Sequence, residues 1–208
     1  MDIIGDSKRA IRGRKLKVVL PEAGDIRVLQ AATVLRDEDL ATPILLGSKA
    51  RIEDAAGHAL TGFEIRDPAD DAALDRLAAV VAAARPSLTA KTAKRLLSKP
   101  LYFAGALVAA GHAHTFVAGA ANPTRRVIEA GLMTVGLADG IDTPSSFFVM
   151  LVPAVASTAA RTLIFADCAV NADPTARELA DIAIASAASA ASVGLEPRAA
   201  PSMSPRCW

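Results

Sequence analysis

Between Lys17 and Ala84 the chain repeats one pattern three times: a short apolar run closed by turn residues, then a longer segment with helical spacing. Lys17–Leu20 (KVVL) runs into Pro21-Glu22-Ala23-Gly24-Asp25, and a helical stretch follows to about Glu38 with Val28, Leu29, Ala32 and Leu35 on one face. Thr42–Leu46, closed by Gly47, precedes a stretch opened by Ser48 and ending near Gly57. Phe63–Ile65 and the Asp67-Pro68 break precede Asp70–Ala84, whose Leu74, Leu77, Val80 and Val81 point one way. Strands that alternate with helices return in the same direction, so this alternation predicts an α/β fold: a parallel sheet covered on both faces, three layers deep.

The pattern then loosens. Arg85-Pro86-Ser87 ends the third helix, helical regions follow over Thr89–Leu97 and Pro100–Ala110, and Thr115–Ala118 reads as a fourth strand. The Gly-centred Leu137–Thr143 (LADGIDT) is the expected domain boundary, giving a first α/β domain over 1–141 and a partial second α/β domain over 142–196. The second holds two apolar strands, Phe147–Val152 and Thr162–Phe165, and a helix capped by Asp173-Pro174 that runs to about Val193. From Ile182 to Val193 that helix carries no charge, and a helix apolar all round belongs inside a larger body. Two strands and one helix do not supply that body, so the second domain reads as cut short. Residues 197–208 (PRAAPSMSPRCW) read as a disordered tail.

With 208 residues, 52% of them apolar, the chain can bury a sizeable core, and its net charge of +1 argues against nucleic acid as a partner. The basic Lys8–Lys17 segment leads straight into a strand and reads as a solvated face. Cys168 and Cys207 offer neither metal spacing nor a disulfide framework, which fits a reducing cytoplasm. Met1–Asp6 carries two acids and does not read as a signal peptide, and the longest apolar run, Phe147–Ala156, is too short to span a bilayer. A cytoplasmic protein without metal or membrane partner is expected.

The chemistry concentrates in Val117–Gly131 (VAGAANPTRRVIEAG). A short strand meets a loop of small residues and then a helix, with Asn122 placed to cap it and Pro123 at its first position. Gly119, Ala120 and Ala121 let a ligand approach the backbone, and Thr124, Arg125 and Arg126 occupy the first turn: the parts of an anion site. The same residues also suit a plain strand–helix junction with two solvated arginines. Asp167, Asn171 and Thr175 lie between a strand's carboxyl end and a helix, where open α/β sheets bind ligands, although Asp167 also suits a turn-forming acid. Cys168 reads as an inert thiol rather than a nucleophile.

From about Lys17 to Arg198 the chain resembles the phosphate acetyltransferase (phosphotransacetylase) family, which includes the phosphate butyryltransferases. The resemblance rests on Leu20–Arg27 (LPEAGDIR), Lys99–Phe103 (KPLYF), Val117–Ala120 (VAGA), Ser146–Phe148 (SFF) and Phe165–Asn171 (FADCAVN) with Asp173-Pro174-Thr175. It implies acyl exchange between coenzyme A and inorganic phosphate, acetyl-CoA and phosphate giving acetyl phosphate and CoA. It further implies two α/β domains with a cleft between them, a homodimer, and no cofactor beyond CoA as substrate. By the same resemblance the substrate-binding residues are Arg85, near CoA; the turn of Asn122, Thr124, Arg125 and Arg126; Ser145 and Ser146; and Asp167 with Asn171. The family's His-Thr-Thr turn is replaced by Asn122-Pro123-Thr124, and its following arginine by Glu129, so Arg125 or Arg126 is left to supply that charge.

The family also carries a Ser-Arg-Gly motif that meets the CoA thiol, and an acid beyond it. Neither stands in these 208 residues, so the catalytic residues stay unassigned and a C-terminally truncated chain is expected, from a shifted frame or a shortened gene. The alternative function is then a catalytically incomplete remnant that binds phosphate, CoA or a partner subunit. A nucleotide-dependent dehydrogenase of the same architecture is a third reading, against which stands the lack of a GxGxxG turn after the first strand.

Overall fold

Why Val18, Leu20 and Leu45 should face away from Val19, Ile44 and Leu46 follows from the two-residue repeat of a strand, and the computed structural model shows both sets buried. It describes residues 2–85, 87–155 and 159–200; Pro86, Ala156, Cys207 and the expected tail beyond residue 200 lie outside the described residues. The chain divides into two units, Lys8–Gly136 and Leu137–Trp208 together with Met1–Ser7.

In Lys8–Gly136, strands β1 (Lys17–Leu20), β2 (Thr42–Leu46), β3 (Glu64–Arg66) and β4 (Thr115–Phe116) form a sheet in the order β3-β2-β1-β4. Every pairing is parallel, with Val19 beside Ile44 on one side and Phe116 on the other. Helices α2 (Ile26–Asp37) and α3 (Lys49–Ala56) follow β1 and β2, and Leu29, Ala32 and Ile52 cover the face of Val18, Leu20 and Leu45. The other face takes α4 (Leu74–Ala84), α5 (Ala90–Leu97), α6 (Pro100–Ala109) and α7 (Thr124–Thr134). On that side α6 is the axis: Leu101 through Leu107 are all buried, and Pro100 opens the helix where its missing N–H is harmless. The three layers expected from the sequence are present.

Helix α1 (Ile3–Ile11) precedes the first strand, where the sequence predicts only a basic lead-in. The basic segment is paired rather than simply solvated: Lys8 meets Glu38 at 2.8 Å, Lys15 meets Asp39 at 2.6 Å and Lys17 meets Glu64 at 3.6 Å.

In the second unit, β5 (Phe147–Val152) pairs antiparallel with β6 (Arg161–Ala166), Phe148 opposite Phe165, and α8 (Ala176–Ser192) follows. The α8 cap is Thr175, not Asp173-Pro174: its hydroxyl accepts the Glu178 N–H while the Glu178 carboxylate accepts the Thr175 N–H. Ile182 and Ala190 are buried, yet Phe148 and Phe165 are 58% and 56% exposed and Ile184 63%. Among the described residues no helix is long and apolar enough to cross a membrane.

Candidate functional site

Strand β1 leads to β2 on one side, while β4 enters on the other, so the sheet's direction of growth reverses between β1 and β4. Loops leaving two such strands diverge above their carboxyl ends and open a crevice there. Here the crevice is a cleft of about 740 Å³. Its walls are the loop after β1 (Glu22, Asp25), the start of α6 (Lys99, Tyr102) and the α7 side (Asn122, Arg126, Glu129).

The two loops are locked together by Glu22, which is 7% exposed. One carboxylate oxygen accepts the N–H groups of Gly119 and Ala120, both at 2.8 Å. The other accepts the N–H of Ala121 at 3.1 Å and the side-chain amide of Asn122 at 2.7 Å. Gly119 has φ +114°, a conformation open to glycine and strained for other residues. Burial opposes the charge on Glu22, but the Asn122 amide and the three N–H groups outweigh it and hold the carboxyl below the ordinary glutamate range. Asp25 accepts the Arg27 N–H as the α2 cap and pairs with its guanidinium, which reaches on to the Ala120 carbonyl at 2.8 Å.

This arrangement changes how the 117–131 stretch is read. The N–H groups of the small-residue loop are engaged by an internal carboxylate. Asn122 does not cap α7, because its amide is turned to Glu22; the cap position is Pro123, and no side chain closes the first turn. Thr124, Arg125 and Arg126 are exposed at that turn, and of these only Arg126 lines the cleft. Tyr102 donates its hydroxyl to Glu129 at 3.0 Å, and burial together with that carboxylate pushes the phenol pKa up, so it stays a proton donor at neutral pH. Arg126 and Lys99 are thus the cations facing a cleft whose acids Glu22, Asp25 and Glu129 each have a hydrogen-bond donor of their own.

A model of the family described as phosphate acetyl/butaryl transferase matches residues 3–204. The chain belongs to this family. Phosphate acetyltransferases from Staphylococcus epidermidis and Thermoanaerobacterium thermosaccharolyticum are each 36% identical to it, across 96% of this chain and 60% and 62% of theirs. Among solved structures, EutD phosphotransacetylase from Staphylococcus aureus superimposes with a TM-score of 0.81 at 32% identity. A phosphotransacetylase from Streptococcus pyogenes gives 0.83 at 31%. Both matches cover 93% of this chain and 58% and 59% of the other. The chain spans about 60% of the length of the curated relatives it matches.

Of the remaining residues that the family resemblance singles out, Arg85 stands in the first unit and Ser145, Ser146, Asp167 and Asn171 in the second. Arg85 donates to the Leu132 carbonyl in the last turn of α7, against Gly136, where a side-chain carbon would fall 2.6 Å from the guanidinium. A cation there suits the negative end of the helix dipole. In the second unit, Asp167 accepts from the backbone and hydroxyl of Ser146, from the N–H groups of Ala169, Val170 and Asn171, and from the Asn171 amide at 2.7 Å. Burial opposes that charge as well, yet Ser146 and the loop N–H groups hold the pKa at about 2. Asn171 also donates to the Pro144 carbonyl at 2.8 Å, and Ser145 is half-buried beside this knot. Sequence reasoning assigns no role to Glu22; its signal is its place in the loop after β1, inside one of the motifs that carry the resemblance.

Proposed function

We propose that the cleft between β1 and β4 holds the phosphate-bearing reactants of an acyl transfer from acetyl-CoA to inorganic phosphate. A phosphate oxygen attacks the thioester carbonyl, the carbon–sulfur bond breaks, and acetyl phosphate and the CoA thiolate leave. The observation that supports this is Arg126 facing a crevice at the sheet's reversal point, beside a helix whose first turn has no side-chain cap. In this reading Arg126 replaces the arginine that the family resemblance places at Glu129, with Lys99 as second cation and Thr124 and Arg125 contributing N–H groups to the anion. Asn122 and Arg85 shape the two ends of α7, and within the second unit Ser146, Asp167 and Asn171 form one hydrogen-bonded cluster with Ser145 beside it, set to bind substrate as the family resemblance implies. The protein acts in the cytoplasm, and a homodimer fits the reading.

A second reading is binding without turnover, alone or with a partner subunit. It is favoured by β5 and β6, whose large apolar side chains stand exposed: Phe147, Val149 and Leu151 on one face of the strand, Phe148 and Met150 on the other. Release of free CoA thiol from acetyl-CoA by the purified 208-residue chain, in the presence and absence of phosphate, separates the two. Phosphate-dependent release supports acyl transfer. CoA binding without release supports the second reading, and neither binding nor release overturns both.

A further inference from the structure

Glu22 is a buried carboxylate with no capacity left over for substrate. Its two oxygens accept from three consecutive N–H groups and one amide, all contributed by residues 119–122, within 2.7–3.1 Å. A carboxylate so engaged is a poor general base, and the loop it holds is a poor direct cradle for phosphate. It does something else. Residues 119–122 run straight into Pro123 and the first turn of α7, so whatever fixes the loop also fixes where α7 begins and where Arg126 stands. The other end of the tether is the loop after β1, which forms the opposite wall of the cleft. Arg27 braces the same loop from outside through the Ala120 carbonyl.

Resting on the acyl-transfer reading, we infer that Glu22 is a positioning residue: by tying residues 119–122 to the loop after β1 it presents Arg126 to phosphate-bearing ligands in one pose. Glutamine cannot replace it, since its NH₂ end would point a donor at one pair of the donors now bonded. Aspartate keeps the charge but falls one methylene short.

The test is calorimetric titration of the full 208-residue chain with CoA, and separately with inorganic phosphate, from neutral to acidic pH. Glu22→Gln weakens CoA binding about tenfold to a hundredfold, the scale on which a misplaced binding group acts. Glu22→Asp recovers part of that loss. Glu22→Gln combined with Arg126→Ala is little weaker than the worse single variant, because both remove the same interaction. Wild-type affinity falls further in acid than that of Glu22→Gln, which has no carboxylate there to protonate. Unchanged affinity in Glu22→Gln, or losses that simply add, overturns the inference and leaves the acyl-transfer reading standing. Should Glu22→Gln not fold, Asn122→Ala carries the test, with a severalfold loss expected and an unchanged affinity overturning. Wild type and Arg126→Ala both failing to bind CoA and phosphate sinks the reading and the inference with it.

Discussion

Glu22 and Asn122 stand one hundred positions apart in the chain and meet at 2.7 Å. They meet because β1 and β4 are neighbours, so the loop after each strand emerges beside the other. That contact decides what Asn122 is for. Were it the cap of α7, Asn122→Asp would be close to neutral, since aspartate caps as well as asparagine. Facing Glu22, the same change sets two carboxylates against each other and removes a donor to a buried charge. We expect Asn122→Asp to cost about 1–3 kcal/mol in urea unfolding, more than Asn122→Ala.

Asp167 predicts an acid limit for the second unit. Its pKa is lowered from the ordinary 3.8 to about 2, so the folded state holds its proton less tightly than the unfolded chain does. The stabilisation is therefore complete above about pH 4 and is lost as pH falls toward 2. Protection of the amides of Ala169, Val170 and Asn171, which donate to this carboxylate, should fall relative to the intrinsic exchange rate across that window. In Asp167→Asn the same amides should exchange fast already at neutral pH, with no further acid step.

Much of the first unit was legible because its signals are local. Val18, Val19 and Leu20 alternate between two cores, Asp25 caps α2 as the turn before Ile26 suggests, and Thr89 caps α5 through the Thr92 N–H. The Thr175-Ala-Arg-Glu178 capping box is equally local, and it closes α8 in place of the expected Asp173-Pro174 cap. What could not be read depends on contacts across the fold. Asn122 has the chemistry of a cap, and a glutamate from another strand's loop recruits it. Arg85 carries a charge that could serve a ligand, and in the fold it meets a carbonyl 47 positions away. Helix α1 is not legible locally because its Lys8 finds Glu38 only once α2 is in place.

Gly105 should be close to irreplaceable. A methyl group there would lie 2.0 Å from the Thr134 hydroxyl and 3.0 Å from its Cβ, where α6 crosses α7. Thr134 is 2% exposed and its hydroxyl is tied to the Ala130 carbonyl at 2.6 Å, so it has little room to yield. Gly105→Ala should destabilise by about 1–3 kcal/mol, the usual cost of overpacking a core. Adding Thr134→Ala removes the hydroxyl but leaves the short carbon contact, so denaturant midpoints should recover in part. CoA affinity should fall with Gly105→Ala too, since spreading α6 from α7 draws Tyr102 away from Glu129 across the cleft.

The two arginines that open α7 are adjacent in sequence and should behave differently. Successive residues on a helix point about 100° apart, and only Arg126 lines the cleft while Arg125 is exposed away from it. A charge-assisted hydrogen bond to phosphate contributes about 1.5–3 kcal/mol, so Arg126→Ala should weaken CoA or phosphate binding by about tenfold to a hundredfold. Arg125→Ala removes a solvated charge and keeps its backbone N–H, so its effect should stay within about threefold at moderate salt. Arg126→Lys should recover only part of the loss, because a single ammonium cannot make the two-pronged contact of a guanidinium. If titrations with CoA rank Arg125→Ala as the more damaging change, the cation that meets phosphate has been assigned to the wrong side of the helix.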